Sequence, residues 1–221
     1  MTVLGCKARF TLLRGAELVA APWKNGGGVT REIAAFSAEE RDARGAGLDR
    51  FVWRVSVADV GQAGPFSRFE GIDRTLVLLS GAGMLLDEAP AVASANDAQR
   101  VKTHTLTQAL DMARFAGEAR IDARLVDGAT RDFNLMVRRD AAQGELEVWR
   151  ADRQQDTQRI VSGDVALLYC ASGAVSVTPA DAQPVSLEAG DTLRIDTPNA
   201  LHCTVQGAGA LLAITIRYTQ R

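Results

Sequence analysis

Short runs in which β-branched and aromatic residues alternate with polar ones recur along the chain, whereas no apolar stripe at helical spacing persists beyond a few turns. The pattern predicts strands. The clearest is Phe51–Val60, FVWRVSVADV, where Phe51, Trp53, Val55 and Val57 share one side and Arg54, Ser56 and Ala58 the other. Residues 29–36, 74–80, 84–86, 121–126 and 131–139 read the same way. In the last of these, Asp132, Asn134, Met136 and Arg138 alternate with Phe133, Leu135 and Val137. Residues 105–115 suggest a strand followed by a turn. Gly81-Ala82-Gly83 reads as the turn of a hairpin between two strands. Residues 37–50 and 87–103 lack periodicity and read as excursions, the second of them away from function. From Gly144 the strand pattern restarts, at 145–149, 164–169, 174–178, 192–196 and, longest and most apolar, 210–218. An all-β chain is expected.

The restart has an internal echo. Leu78 to Leu86 and Tyr169 to Val177 each read as strand, small-residue turn, strand, and Phe115 to Ala123 resembles Leu187 to Asp196. The expectation is two jelly-roll-like β-barrels packed together, residues 1–140 and 141–221, with strand exchange between the halves allowed.

Composition narrows the classes. At 221 residues the chain can bury a sizeable core, and 47% hydrophobic, 24% charged and a net charge of −2 describe an ordinary globular protein with no nucleic-acid partner. Only three of the 25 cationic residues are lysines, so abundant arginine reads as coding bias and Lys24 stands out. Cys6, Cys170 and Cys203 have no metal-knot or disulfide spacing. No leader pattern opens the chain and no apolar run reaches the ~18 residues of a membrane span, so a cytoplasmic location without a membrane partner is expected.

The most concentrated chemistry lies in Trp23-Lys24-Asn25-Gly26-Gly27-Gly28-Val29-Thr30-Arg31-Glu32-Ile33. Three glycines permit positive φ and leave a surface without Cβ atoms. An aromatic, cations, a carboxylate, an amide and a hydroxyl surround them. The stretch suits recognition of a small polar molecule, and equally a tight turn before a strand.

Two resemblances follow. Leu187-Glu-Ala-Gly-Asp-Thr-Leu-Arg-Ile-Asp196, with Pro198 to His202 after it, looks like the second motif of the cupin superfamily, but His104 and His202 are the only histidines and no His-x-His occurs. No metal and no cofactor is therefore expected. Pro22 to Ile33, Phe51 to Val60, Gly64 to Arg74 and Leu125 to Met136, in that order, resemble the HutD/Ves family, a bicupin family without the usual metal ligands. The resemblance implies a protein linked to bacterial histidine utilisation or to a stress response. For the HutD branch it further implies binding of a pathway metabolite, formiminoglutamate being the proposed one.

The site expected from these residues lies in the first half and comprises Lys24, Asn25, Gly26, Gly27, Thr30, Trp53, Arg54, Arg74, Asp132, Asn134 and Met136. Arg54 or Arg74 would hold the carboxylate of an acidic metabolite, Lys24 would add a point charge, Asn25 and Asn134 would read polar edges, and Trp53 and Met136 would form the apolar wall. Ordinary pairing competes with this, Arg74 with Asp59 or Asp73 and Asp132 with Arg131 or Arg138. Two other classes stay open. One is a cupin-type isomerase or lyase acting on a small carboxylated substrate, with Asp132 or Glu32 as base. The other is a structural or interaction protein, forming a homodimer through sheet edges or through the exposed face of residues 192–218.

Overall fold

The computed structural model describes residues 7–37, 51–89, 101–180 and 182–219. Of the two expected excursions, residues 38–50 and 90–100 lie outside the described residues. In chain order the strands are β1 (Arg9–Leu13), β2 (Ala20–Pro22), β3 (Gly28–Ser37), β4 (Phe51–Val60), β5 (Gly64–Pro65), β6 (Ile72–Ser80), β7 (Met84–Ala89), β8 (Lys102–Leu106) and β9 (Met112–Ala116). They continue as β10 (Arg120–Leu125), β11 (Thr130–Arg138), β12 (Ala142–Ala151), β13 (Thr157–Val161), β14 (Val165–Pro179), β15 (Val185–Glu188), β16 (Thr192–Asp196) and β17 (Leu201–Tyr218). A 3-10 turn at Gly15–Glu17 is the only helical element among the described residues, and none of these is long and apolar enough to cross a membrane.

The chain forms two compact units. One is Val19–Ala142; the other runs from Gln143 and takes β1 from the N-terminal side, because β1 pairs antiparallel with β16, Arg9 opposite Asp196 and Leu13 opposite Thr192.

In the first unit a six-stranded sheet, β2-β3-β4-β11-β6-β9, faces a four-stranded one, β5-β10-β7-β8. Their shared core takes Ala58, Leu76, Leu78, Ala113 and Phe115 from the first and Met84, Leu86, Leu106, Ile121 and Ala123 from the second. Because strand side chains alternate, this one interface assigns every neighbouring position to the inner or the outer face. Gly81-Ala82-Gly83 is not the hairpin turn the sequence suggests. β6 pairs with β11 and β9, and β7 with β10 and β8, so the turn carries the chain from one sheet to the other. Two glycines are needed there: Gly81 has φ 98° and Gly83 φ 107°, and a Cβ on Gly81 would come within 2.6 Å of the Ala129 carbonyl oxygen.

The second unit is one sheet, β1-β16-β14-β17-β12, with β13 on β17 and β15 on β14. β14 and β17 run together through a register shift between Cys170 and Ser172. β16 pairs with the first half of β14 and β15 with the second, and the core draws Leu168 and Cys170 from one half, Val175 and Val177 from the other, so the sheet folds over at the shift. Thus the two segments of the internal echo, Leu78 to Leu86 and Tyr169 to Val177, both turn a corner, one by changing sheets and one by bending a continuous strand. The sequence pattern suggests closed barrels, but in neither unit do the described strands close into a hydrogen-bonded barrel; the sheets are open and packed on their faces.

Candidate small-molecule site

The inner face of β11 carries Asp132, Asn134 and Met136, and register places their neighbours. Asp132 lies between Ala58 and Leu78, Asn134 between Ser56 and Leu76, and Met136 between Arg54 and Arg74. One step further out on the same face are Glu32, opposite Ser56, and Phe115, opposite Arg74. Alternation alone therefore brings two guanidiniums, two carboxyls, an amide and the Ser56 and Thr30 hydroxyls to the inner face of a sheet whose other inner positions include Ala58, Leu76 and Leu78.

Arg74 is 7% exposed. Its guanidinium is ringed by Phe66, Phe69 and Phe115, with its carbon 5.5, 5.6 and 5.1 Å from their centroids. Its Nε and one Nη donate to the Asn134 side-chain oxygen at 3.4 and 3.2 Å, and the other Nη to the Ser67 carbonyl at 3.3 Å. The Asn134 amide in turn donates to Asp132 Oδ1 at 3.4 Å. Neither Asp59 nor Asp73 pairs with Arg74. Asp59 is held by Arg31 and Arg131, and Asp73 by Arg139, all at the surface. The hydrogen-bond partners of Arg74 are thus neutral, and the Asp132 carboxyl reaches it across the Asn134 amide.

Burial has opposite consequences for the two charges. Desolvation, reinforced by Arg54 and opposed by Asp132, lowers the Arg74 pKa to about 10, so the group remains a cation at neutral pH. Desolvation pushes Asp132 up to about 7, against the pull of Arg74 and the Asn134 hydrogen bond. Asp132 is 1% exposed and its Oδ2 has no hydrogen-bond partner. A buried carboxyl oxygen without a partner costs stability, and such groups concentrate where a ligand or a reaction uses them.

Arg54 is the more open of the two cations and pairs with Glu32 at 2.6 Å. Trp53, expected as a wall of the site, points to the opposite face of the sheet, since neighbours in a strand cannot share a face. It is fully buried there, stacked on Phe36 with centroids 6.4 Å apart. Met136 lies on the inner face, buried and in register with Arg54 on one side and Arg74 on the other.

The glycine-rich stretch forms the turn between β2 and β3. Trp23 N–H donates to the Gly28 carbonyl, Gly26 N–H to the Trp23 carbonyl and Gly27 N–H to Asn25 Oδ1, while the Trp23 indole donates to Thr30 Oγ1 at 2.7 Å. Gly26 has φ 71°, and a Cβ on Gly28 would meet the Trp23 ring at 3.1 Å. Lys24, Asn25 and Gly26 are exposed. Gly28 is in register with Val60, six residues along β4 from Arg54, which at ~3.3 Å per residue is about 20 Å. The structure thus gathers Arg54, Arg74, Asp132, Asn134 and Met136 and leaves Lys24, Asn25, Gly26 and Gly27 in a turn at the other end of the sheet. Thr30 faces inward beside Ala58, its hydroxyl engaged by Trp23.

Sequence reasoning passed over Glu88 and His104, which face inward from the four-stranded sheet. His104 Nε2 lies 2.7 Å from Glu88 Oε2, and its ring is 6.2 Å from that of Phe115. The signal was there: Met84, Leu86 and Glu88 form one alternating row, and His104 and Leu106 the row beside it. Glu88 with His104 makes two potential metal ligands, but no group of three or more His, Cys, Asp or Glu among the described residues is placed to hold a metal ion, so this donor set does not fit the metal of metal-binding cupins.

The family model described as HutD matches residues 15–213 of the chain. An uncharacterised 21.2 kDa protein from the hutC 3' region of Pseudomonas putida is 33% identical over 214 residues, 95% of this chain and 100% of the relative. Protein Ves of Citrobacter koseri is 36% identical over 132 residues, 59% of this chain and 58% of its own length. Among solved structures, a conserved protein of unknown function from Pseudomonas aeruginosa is 28% identical with TM-score 0.77, covering 95% of this chain and 99% of that one. HutD from Pseudomonas fluorescens (formate condition) is 28% identical with TM-score 0.70, covering 95% and 100%. A variant of Bacillus subtilis oxalate decarboxylase, 8% identical with TM-score 0.55 over 95% of this chain and 77% of that one, shares the cupin-like fold alone.

Proposed function

The chain belongs to the HutD family, and from that premise we propose that it is a metal-free bicupin whose first unit binds a small acidic metabolite, sensing or sequestering it in bacterial histidine utilisation. Formiminoglutamate is the model ligand. The observation that carries the reading is Arg74, a cation enclosed by three aromatic rings and hydrogen-bonded to neutral groups. A buried charge without a counter-ion is expensive, and a bound carboxylate would offset that cost by charge-assisted hydrogen bonding in low dielectric. Arg54, flanking Met136 from the other side, supplies a second cation that a ligand can draw from its surface pairing with Glu32.

Asp132 supports a second reading. With Oδ2 unpartnered and its carboxyl near neutrality, it could move a proton on a bound substrate. Turnover of an acid, lost in Asp132→Asn while binding persists, would establish catalysis.

Thermal melts with formiminoglutamate, urocanate, histidine and glutamate test the binding reading. At a hundred times Kd, one bound acid adds about 2.7 kcal/mol, or roughly 5–10 °C in Tm for a chain of this size. At least one acid is expected to give a concentration-dependent rise that Arg74→Met removes without unfolding the protein. No rise with any acid, or an equal rise in the variant, would contradict the reading.

A further inference from the structure

Across the interior from the arginines stands an arm with the opposite charge. Glu88 follows Met84 and Leu86 on the inner row of β7, and His104 precedes Leu106 on that of β8, with Glu88 opposite Lys102 in register and Leu86 opposite His104. The outer row of the same strands has its own partners, Asp87 being held by Arg124 and Thr103. Glu88 is therefore turned inward by the sheet rather than drawn there by a surface ion pair. His104 contributes one hydrogen bond to Glu88 Oε2, which leaves Oε1 able to accept another. Phe115 joins the two sides: its ring is 5.1 Å from the Arg74 guanidinium carbon and 6.2 Å from the His104 ring, so the two groups stand within about 11 Å of each other.

We propose that Glu88, oriented by His104, is a second arm of the site, reading a hydrogen-bond donor at the far end of an acid whose carboxylate Arg74 holds. The inference rests on the carboxylate reading above and adds the ligand's other end. The chemical class is a short acid bearing an amine, amide or amidine N–H, the donors that a carboxylate oxygen accepts from. Dicarboxylates that carry no such N–H are disfavoured, because their second charge would meet Glu88 with no donor beside it to offset the repulsion. His104 is a positioning residue, fixing the Glu88 carboxylate through its Nε2.

Three five-carbon acids that differ only at the far end separate the outcomes: valerate, 5-aminovalerate and glutarate, titrated calorimetrically into the full chain. The wild type is expected to bind 5-aminovalerate about tenfold or more tighter than valerate, and glutarate more weakly than valerate. Glu88→Gln should bring 5-aminovalerate to within about threefold of valerate and leave valerate unchanged; His104→Gln, which keeps Glu88, should lower the 5-aminovalerate affinity alone by about threefold. Valerate binding without discrimination, or discrimination that survives Glu88→Gln, overturns the second arm and leaves the carboxylate reading standing. Failure of all three acids to bind overturns both.

Discussion

The two units resolve the same architectural problem with opposite interiors. Between the sheets of the first, an apolar core gives way along β11 to Asp132, Asn134 and, across Met136, Arg54 and Arg74. The core of the second is Trp149, Leu168, Cys170, Val175, Leu187, Leu193, Leu211 and their neighbours. Its most fully engaged buried charge, Asp191, holds the fold together. The Asp191 carboxylate accepts from the Gly15 and Glu188 N–H groups at 3.0 and 3.1 Å and from Arg14 at 2.7 Å, tying the segment after β1 to the turn before β16. Asp132 is buried more deeply, 1% exposed against 6%, yet one of its oxygens has no partner and the other has one long hydrogen bond. The second unit also leaves Thr192 Oγ1 and Arg159 Nε without a partner, but of these unsatisfied groups among the described residues only Asp132 is a carboxyl, and it lies on one inner face with Arg54 and Arg74.

That contrast can be broken from either side. Asp191→Ala should cost the most stability, about 2–4 kcal/mol by denaturant melts, because it removes three charge-assisted hydrogen bonds, while ligand binding in the first unit stays unchanged. Burial opposes ionisation of Asp191, but the Gly15, Glu188 and Arg14 contacts hold its pKa below the usual carboxylate value. Its contribution is therefore present above about pH 4 and is lost as pH falls further. Asp132→Asn should act oppositely and by less, raising stability at pH 8 by about 1–3 kcal/mol. With its pKa raised to about 7, Asp132 keeps in the folded state a proton that the unfolded chain releases near pH 4, so wild-type stability should fall as pH rises from about 4 to 7, and the variant should lose that slope. Lys24→Ala should give the smallest effect, within about 0.5 kcal/mol in stability and none in acid binding, as an exposed turn residue remote from Arg74. A Lys24 effect on binding comparable to that of Arg74 would return the site to the glycine-rich turn.

Much of the fold was legible because period-2 alternation is a local property. β4 and β16 stand at the expected residues, and the polar inner row of β11 was visible as Asp132, Asn134, Met136. What alternation cannot state is the partner of each row. Nothing in Arg9–Leu13 says that it joins β16, and Gly81-Ala82-Gly83 has the composition of a hairpin although it changes sheets. The candidate site was legible to the same degree. Residues on the inner face of one sheet were found from their strands, whereas Lys24 and Asn25 were drawn in by local composition whose physical cause is turn geometry. Trp53 was excluded by the same alternation that placed Arg54 inside. The inward-facing pair Glu88 and His104 did not stand out in the sequence because their strands are short and adjoin a segment without periodicity.

The central claim is that the enclosed Arg74 guanidinium receives the acid. Nitrogen-15 NMR of the arginine side chains, with the Arg74 Nε–H resonance assigned by its loss in Arg74→Met, reads this directly during titration with the acid that raises Tm most. The expected result is a saturable shift of that resonance, accompanied by the Asn134 side-chain amide to which it is hydrogen-bonded. Shifts confined to the Gly26–Gly28 amides or to the second unit, with the Arg74 signal unmoved at saturation, would contradict it.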